Sequence, residues 1–162
     1  FGTSERIVVA SLTRRYGAPE IPAGPMGGCT EVGWAGLAFR PKSGHMSATV
    51  TLHVELRVFF KRSAFAGYSY YQSVPFRARG GQQPSLTLHT ARGLTLGTSP
   101  ARARVLYGHA FAVGRAVMGA GVPWTVTTSS GRIYGGMTFP EPRFHQIIQS
   151  INAGTSIETG CP

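Results

Sequence analysis

Acidic residues are scarce in this 162-residue chain, which contains six Glu and no Asp against 14 Arg and two Lys. The resulting formal net charge of +10 favours contact with polyanions such as nucleic acid, anionic envelope polymers or acidic lipid headgroups. The basic residues are mostly scattered singly, so polyanion binding is one alternative among several. Catalysis by paired carboxylates has no candidate motif, because the six acids are isolated in the sequence, at Glu5, Glu20, Glu31, Glu55, Glu141 and Glu158.

Long apolar runs are also missing. No stretch approaches the roughly 18 residues of a membrane-spanning helix, and no secretory apolar segment is present. The chain begins with Phe1, which is compatible with processing of the N-terminus, including removal of a signal peptide. A hydrophobic content of 42% with 22 Gly and 11 Pro is typical of a turn-rich globular fold and argues against a disordered chain.

Cysteine is rare, with Cys29 and Cys161 the only two. They form neither a C-x-x-C motif nor a metal-ligand arrangement, and in an exported protein an even pair predicts one disulfide. The bridge would close a loop of about 130 residues, for which the chain-entropy model gives at most about 5 kcal/mol. The alternative is two unlinked thiols, one buried and one in the C-terminal tail.

Familiar catalytic motifs are absent as well. The chain has no G-x-S-x-G elbow, P-loop or dinucleotide fingerprint, and its histidines lack the spacing of a zinc site, so no cofactor and no metal are predicted. His53 and Glu55 lie two apart on one predicted strand face and form the one acid–base pair that can be constructed. Decoration of a solvated sheet face is the favoured interpretation of that pair.

The most readable stretch is 90–108. Thr98 or Ser99 offers a helix-capping oxygen, Pro100 suits the first helical position, and Gly108 ends the helix. The two leucines before the cap alternate with Thr and Gly, as in a short strand or its approach. The segment is therefore predicted to be a strand–cap–helix scaffold without a catalytic group.

A similar helix is predicted over 3–17. Thr3 or Ser4 serves as its cap, Glu5 lies at its positive end, and Gly17 ends it. Strands are predicted at 30–40, 49–60, 65–71, 85–90, 123–128 and 133–139, whereas 144–151 fits either a helix or an edge strand. In the 49–60 strand, apolar and polar residues alternate from Thr49 to Val58, which indicates an antiparallel sheet covered on one face.

A repeat is visible across the two halves. Tyr16-Gly17 recurs as Tyr107-Gly108, and Trp34 recurs as Trp124. Each Tyr-Gly ends a predicted helix that begins after Thr-Ser, and each Trp lies on a predicted strand. We therefore expect an α+β fold of tandem α-β-β repeats, at 1–84 and 85–162, forming one compact unit with short helices on one face of the sheet.

With these motifs the chain resembles a group of exported actinobacterial proteins that combine helix-plus-sheet modules. The shared pattern is Thr-x-x-Gly-[Leu/Ile]-x-[Leu/Val]-Gly-x-[Ser/Thr], a helix ending in Tyr-Gly, a Trp-containing strand and a final Ala-Gly…Cys. These motifs lie here at 90–99, 107–108, 124 and 153–161. More distantly, the chain is similar to the tandem modules of the β-lactamase inhibitor protein and BamE-like assembly factors. The resemblance implies a non-enzymatic binding module in the cell envelope or outside the cell.

The aromatic and basic residues cluster most strongly in 57–79. This stretch predicts a binding face formed by Arg57, Phe59, Lys61, Arg62, Tyr68, Tyr70, Tyr71, Arg77 and Arg79. Tyr and Arg dominate protein–protein hot spots, and the same mixture on a sheet also stacks single-stranded bases or lines a groove for an anionic glycan. The alternative is that half of the aromatic rings fill the core. The 65–71 strand is expected to place Tyr68 and Tyr70 on one face and Phe65 and Tyr71 on the other.

Together these observations predict a secreted or envelope-located module that is not an enzyme and recognises a protein partner through the aromatic, Arg-rich sheet face. A polyanion binder is the first alternative, and an enzyme of unknown class is the second. Self-association through an exposed sheet edge is a variant of the first hypothesis.

Overall fold

A computed structural model describes residues 1–26, 28–40, 50–73, 85–117, 121–129, 131–138 and 146–154. Within them the chain is an α+β protein, as predicted, with two α-helices and eight β-strands. Chain contacts divide it into two units, the first comprising 1–87 with Gly154 and the second 88–153. Neither described helix is long and apolar enough to cross a bilayer.

The first unit consists of one helix followed by four strands. Its elements are α1 (Glu5–Tyr16), β1 (Ile21–Met26), β2 (Cys29–Arg40), β3 (Val50–Lys61) and β4 (Ala64–Gln72). The strands lie in chain order, and each pairs with the next in antiparallel fashion. Pairing of β2 with β3 is unbroken from Thr30 to Arg40.

The helix α1 begins and ends close to the predicted residues. Ser4 is its N-cap, although the Ser4 side chain makes no capping bond, and Gly17 follows its last turn at φ 88. A side chain is strained at that backbone angle, which explains why glycine ends the helix. The N–H of Glu5 donates instead to the carbonyl of Ser63 in the β3–β4 turn, so the start of the helix is tied to that turn.

Strand β1 was not predicted. The sequence indicates a loop at 19–28 because Pro22, Gly24 and Pro25 are poor strand residues, yet Ile21–Met26 pairs with β2. Among the described strands β1 lies at the end of the order, where a proline without an N–H breaks no ladder on its outer side. The two prolines make β1 a poor template for a further strand, which disfavours self-association through this edge.

The alternation predicted for β3 is confirmed. Leu52, Val54, Leu56 and Val58 are all buried, whereas His53, Glu55 and Arg57 on the opposite face are partly exposed. In β4, Tyr70 lies opposite Leu56 on the core side and Tyr71 lies opposite Glu55 on the other side. Phe65 was expected beside Tyr71, but the extra residue in β4 between Phe65 and Gly67 places Phe65 opposite Phe60 instead.

The second unit also consists of a helix and four strands. Its elements are α2 (Pro100–Tyr107), a 3₁₀ turn (Gly108–Ala110), β5 (Phe111–Val113), β6 (Val122–Thr128), β7 (Gly131–Met137) and β8 (Ser150–Gly154). Adjacent strands in this series pair antiparallel. The three-residue strand β5 was not predicted, and the ambiguous 144–151 segment contributes the start of β8 in its described part.

The 90–99 segment, which precedes α2 and which we call the lead, consists of hydrogen-bonded turns. It does not form the strand that its alternating leucines suggested. Ser99 Oγ accepts from the N–H of Arg102 at 3.2 Å, which confirms the predicted cap, and Pro100 is the first helical residue. Thr90 Oγ1 accepts from the Tyr107 hydroxyl at 2.7 Å and from the N–H of Leu94 at 3.0 Å. The threonine therefore connects the lead to the end of α2.

The strand predicted at 85–90 does not form. Only Ser85 makes a β-bridge, to Leu37, while 86–90 has no strand conformation. Leu86 is nevertheless fully buried, and its carbonyl accepts from the Tyr70 hydroxyl at 2.8 Å. Leu86 thus fills the core from an irregular segment, whereas Leu88 is half-buried.

Candidate functional site

The face of β2, β3 and β4 that carries Arg57 brings together four polar side chains from three strands. We call Glu31, Glu55, Arg57 and Tyr71 the Arg57 cluster. Residues directly opposite on antiparallel strands share a face, and the register pairs Arg57 with Gly33 and Glu55 with Tyr71. Glu31 lies two residues before Gly33 and therefore on the same face.

Arg57 is held between two carboxylates. Its Nη1 lies 2.8 Å from Glu31 Oε1, and its Nε donates a hydrogen bond to Glu55 Oε1. The guanidinium carbon lies 5.8 Å from the centroid of the Tyr71 ring, within the range of a cation–π contact. Contacts from three directions fix the position of the guanidinium before any partner binds.

Exposure differs sharply among the three charged side chains. The Arg57 side chain is 30% exposed, whereas Glu31 is 5% and Glu55 15% exposed. Glu31 Oε1 makes no aligned hydrogen bond within the described residues, so its attraction to Arg57 is that of an ion pair. Removal of Arg57 would therefore leave a buried carboxylate uncompensated.

The same contacts shift two pKa values. Burial opposes the charge on Arg57, but the hydrogen bond and negative charge of Glu55, with the charge of Glu31, outweigh it and raise the pKa of Arg57. Burial, the hydrogen bond to Glu55 and the Glu55 charge together raise the pKa of Tyr71 to about 12, although the Arg57 charge opposes this shift. Tyr71 is consequently a neutral phenol at physiological pH.

The predicted binding face is divided by the structure. Phe59 is 4% exposed and Tyr70 is fully buried, so neither ring is accessible to a partner. Tyr68 lies opposite Val58 on the same side of β4 as Tyr70 and is half-buried. Phe59 and Tyr70 thus match the alternative in which half of the aromatic rings fill the core, with Phe59 on the Arg57 face of the sheet and Tyr70 on the other.

Arg57 and Tyr71 remain on the partly exposed face, and Lys61 and Arg62 are exposed at the β3–β4 turn. Arg77 and Arg79 lie outside the described residues. Tyr71 lies opposite Glu55. Lys61 lies six positions after Glu55 on the extended strand, a span of roughly 20 Å. We call Arg57, Lys61, Arg62 and Tyr71 the hairpin surface.

The β3–β4 turn has an unusual backbone. Arg62 and Ser63 adopt φ 51 and φ 59, and the flanking residues Lys61 and Ala64 pair directly across the hairpin. Two consecutive left-handed residues are typical of a type I′ turn, which normally selects Asn-Gly. Arg62 therefore holds an exposed cationic side chain on a strained backbone, and such strain persists where the surrounding structure or function requires the residue.

Glu31 is the residue of the cluster that sequence reasoning missed. It was counted among the isolated acids because its partner is 26 positions away in the chain. A signal existed, since Glu31 alternates into the apolar strand 30–40, and an acid buried there needs a cation opposite. Only the strand register identifies Arg57 as that cation.

The His53–Glu55 pair is not coupled through the buried Nδ1 of His53, which has no hydrogen-bond partner among the described residues. Glu55 is instead engaged by Arg57 and Tyr71. Among the residues that the structure describes, no three His, Cys, Asp or Glu side chains lie close enough together to hold a metal ion.

Cys29 is buried at the start of β2 against Phe59 and Ala66. Cys161 lies outside the described residues, so the Cys29–Cys161 disulfide stays a prediction. No cysteine among the described residues is a free thiol.

Comparison with known proteins gives no relative from which a role could be transferred. No protein-family model matches the chain, no curated protein matches it, and no solved structure matches it.

Proposed function

We propose that this protein is a non-enzymatic binding or assembly module of the cell envelope or extracellular space, and that it recognises a protein partner through the hairpin surface. The observation that carries the proposal is the fixed position of Arg57, which lies between Glu31 and Glu55 and beside the Tyr71 ring. Tyr and Arg are among the residue types most enriched at protein–protein hot spots. A pre-positioned Arg–Tyr pair loses little conformational entropy on binding.

The charge of the Arg57 cluster favours a protein over a polyanion. Two carboxylates and one guanidinium give the cluster a net charge of −1, which repels phosphate or sulfate groups at this point on the face. A partner that offers hydrogen-bond donors to Glu55 and an apolar surface to the Tyr71 ring fits it better. Lys61 and Arg62 supply local positive charge at the turn, which suits an acidic rim on the partner.

The net charge of +10 supports the alternative, a polyanion binder, through charge spread over the whole chain. The two functions differ in salt dependence, since counterion release makes polyanion binding fall steeply with ionic strength. A contact anchored by Tyr71 and Arg57 is far less sensitive to salt, because apolar burial supplies much of its energy.

We also propose that the two units are tandem repeats, as the resemblance to the inhibitor-like modules implies. In each unit a helix ends in Tyr-Gly, with Tyr16 and Tyr107 buried. In each the second strand carries a tryptophan that is 1% exposed, Trp34 or Trp124. The same order of helix, helix stop and tryptophan strand supports a shared origin.

The proposed extracytoplasmic location rests on the Cys29–Cys161 bridge. Intact-mass measurement of the protein purified from its native envelope, before and after reduction and alkylation, tests it. We expect two cysteines that react only after reduction. Two cysteines that react without reduction would remove the argument for export.

The binding function is tested by affinity capture from the native envelope fraction. Lys61→Gln/Arg62→Gln/Tyr71→Ser is compared with wild type and with the matched control Arg102→Gln/Arg104→Gln, which removes two exposed charges on α2. We expect at least one protein that wild type and the control capture and the triple variant does not. Identical capture by all three would exclude the hairpin surface as the recognition site.

A further inference from the structure

The first unit contains an open groove of about 840 Å³ beside α1, and Ser63 of the β3–β4 turn is among its lining residues. One wall is formed by α1. The other is formed by Pro19, by Ala23 of β1 and by Val32 of β2. Its middle is apolar and lined by Val9, Ala10, Pro19, Ala23 and Val32. The volume is within the range of ligand-binding clefts in proteins, but the groove is open along its length, which suits an extended chain better than a small molecule.

The charge of the groove is positive at two points. Arg6 and Arg14 line it and are both exposed, whereas Glu5 is the one acid among its lining residues. Arg14 lies eight positions after Arg6, which corresponds to about 12 Å along the axis of α1. The apolar residues Val9 and Ala10 lie between them on the same helix.

An extended peptide matches this spacing. Side chains at positions i, i+2 and i+4 of a strand point to the same side, and four residues span roughly 13 Å. Carboxylates at i and i+4 would therefore reach the two arginines while an apolar side chain at i+2 enters the groove between them. The pattern acid-x-apolar-x-acid follows from the geometry of the helix.

We propose that this groove binds an extended acidic segment of a partner protein with the pattern acid-x-apolar-x-acid. Arg6 and Arg14 pair with the two carboxylates, and Val32 at the base of the groove contacts the apolar side chain. Val32 is 2% exposed and lies on the face of β2 opposite its neighbour Glu31, a member of the Arg57 cluster. The groove and the Arg57 cluster therefore lie on opposite faces of β2, whereas Ser63 of the groove adjoins Arg62 of the hairpin surface in the chain. Variants at Arg6, Ala10 and Arg14 change no residue of the hairpin surface, so the two are tested separately.

A random decapeptide library displayed on phage, selected on the immobilised full chain at 0.15 M NaCl, provides the probe. We expect enriched peptides to carry two acids four positions apart around an apolar residue. The best peptide, synthesised with a fluorescent label, should bind Arg6→Gln/Arg14→Gln about tenfold more weakly than wild type, as expected for two exposed ion pairs. Ala10→Trp, which keeps both charges but fills the groove from an exposed position, should weaken binding similarly.

The control Arg102→Gln/Arg104→Gln removes the same charge from α2 and should bind the peptide as wild type does. Circular dichroism establishes that each variant is folded. Selection of no peptide, selection without the acidic pattern, or equal affinity for wild type and Arg6→Gln/Arg14→Gln would overturn the proposal. So would binding to phosphatidylglycerol vesicles that requires the two arginines while no peptide binds, since the ligand would then be a lipid surface.

Discussion

The indole Nε1 of Trp34 donates a 3.0 Å hydrogen bond to the carbonyl of Gly17, the residue that ends α1. Gly17 is 17 positions earlier in the chain, so this bond fixes the end of the helix to the middle of β2. In the second unit the corresponding nitrogen, Nε1 of Trp124, is buried without a hydrogen-bond partner among the described residues. The two tryptophans therefore share their burial but differ in one hydrogen bond.

This difference predicts unequal costs for the same substitution. Trp34→Phe should lose more unfolding free energy than Trp124→Phe, by about 1 kcal/mol, because only the first change removes a hydrogen bond. Both substitutions remove the same ring atoms from sites of equal burial, so each is the control for the other. Urea denaturation followed by far-UV circular dichroism measures both values, and equal costs would show that the Trp34 bond contributes nothing.

The buried ion pair gives a second prediction. Arg57→Met should destabilise the fold by roughly 3 kcal/mol, since it leaves the Glu31 carboxylate buried without a cation. Adding Glu31→Gln removes the uncompensated charge, so Glu31→Gln/Arg57→Met should recover much of the loss. If the double variant is less stable than Arg57→Met, the buried charge is not the source of the cost. Chemical denaturation at pH 7 decides between the two results.

The pKa of Tyr71 predicts a loss of stability at high pH. It is about 12 in the folded protein against an ordinary value of 10.0, so the folded state holds this proton more tightly than the unfolded state does. The resulting stabilisation is complete below pH 10 and is lost as pH rises through 12. The midpoint temperature of thermal unfolding should therefore fall more steeply between pH 9 and pH 11.5 for wild type than for Tyr71→Phe. Parallel profiles would show that Tyr71 titrates normally.

The strained turn connects stability with binding. Replacing Arg62-Ser63 by Asn-Gly should stabilise the fold by about 1 kcal/mol, because Asn and Gly accept positive φ more readily. If Arg62 contributes to partner binding, Arg62→Asn/Ser63→Gly should bind more weakly while being more stable. Ser63→Gly alone keeps the cation and should gain stability without losing affinity. A stabilised double variant with full affinity would remove Arg62 from the binding surface.

Local sequence signals identified both helices and the long strands of each unit. Gly17, Ser99, Pro100 and Gly108 mark helix ends through backbone preferences that need no tertiary context. The alternation of β3 likewise reports directly on which residues are buried. These features could be predicted because each depends on residues a few positions apart.

Features that depend on distant partners could not be predicted in this way. Strand β1 contains two prolines and is stable only because β2 supplies hydrogen bonds on one side. Tyr70 is of a residue type typical of surface hot spots. In the structure, however, its hydroxyl donates a hydrogen bond to the carbonyl of Leu86 inside the core. The Arg57 cluster joins three strands, so its existence depends on the register between them.

The central claim is that the hairpin surface binds a protein through a Tyr71-centred contact. The most direct measurement is the dissociation constant of the captured partner for wild type and for Tyr71→Ser, at 50 mM and 200 mM NaCl. The account predicts that Tyr71→Ser binds at least about 30-fold more weakly, as a hot-spot loss of ~2 kcal/mol requires, and that salt changes the wild-type constant by less than about tenfold. A wild-type affinity that falls by about 10³ over this salt range, with no effect of Tyr71→Ser, would contradict it and indicate a polyanion ligand.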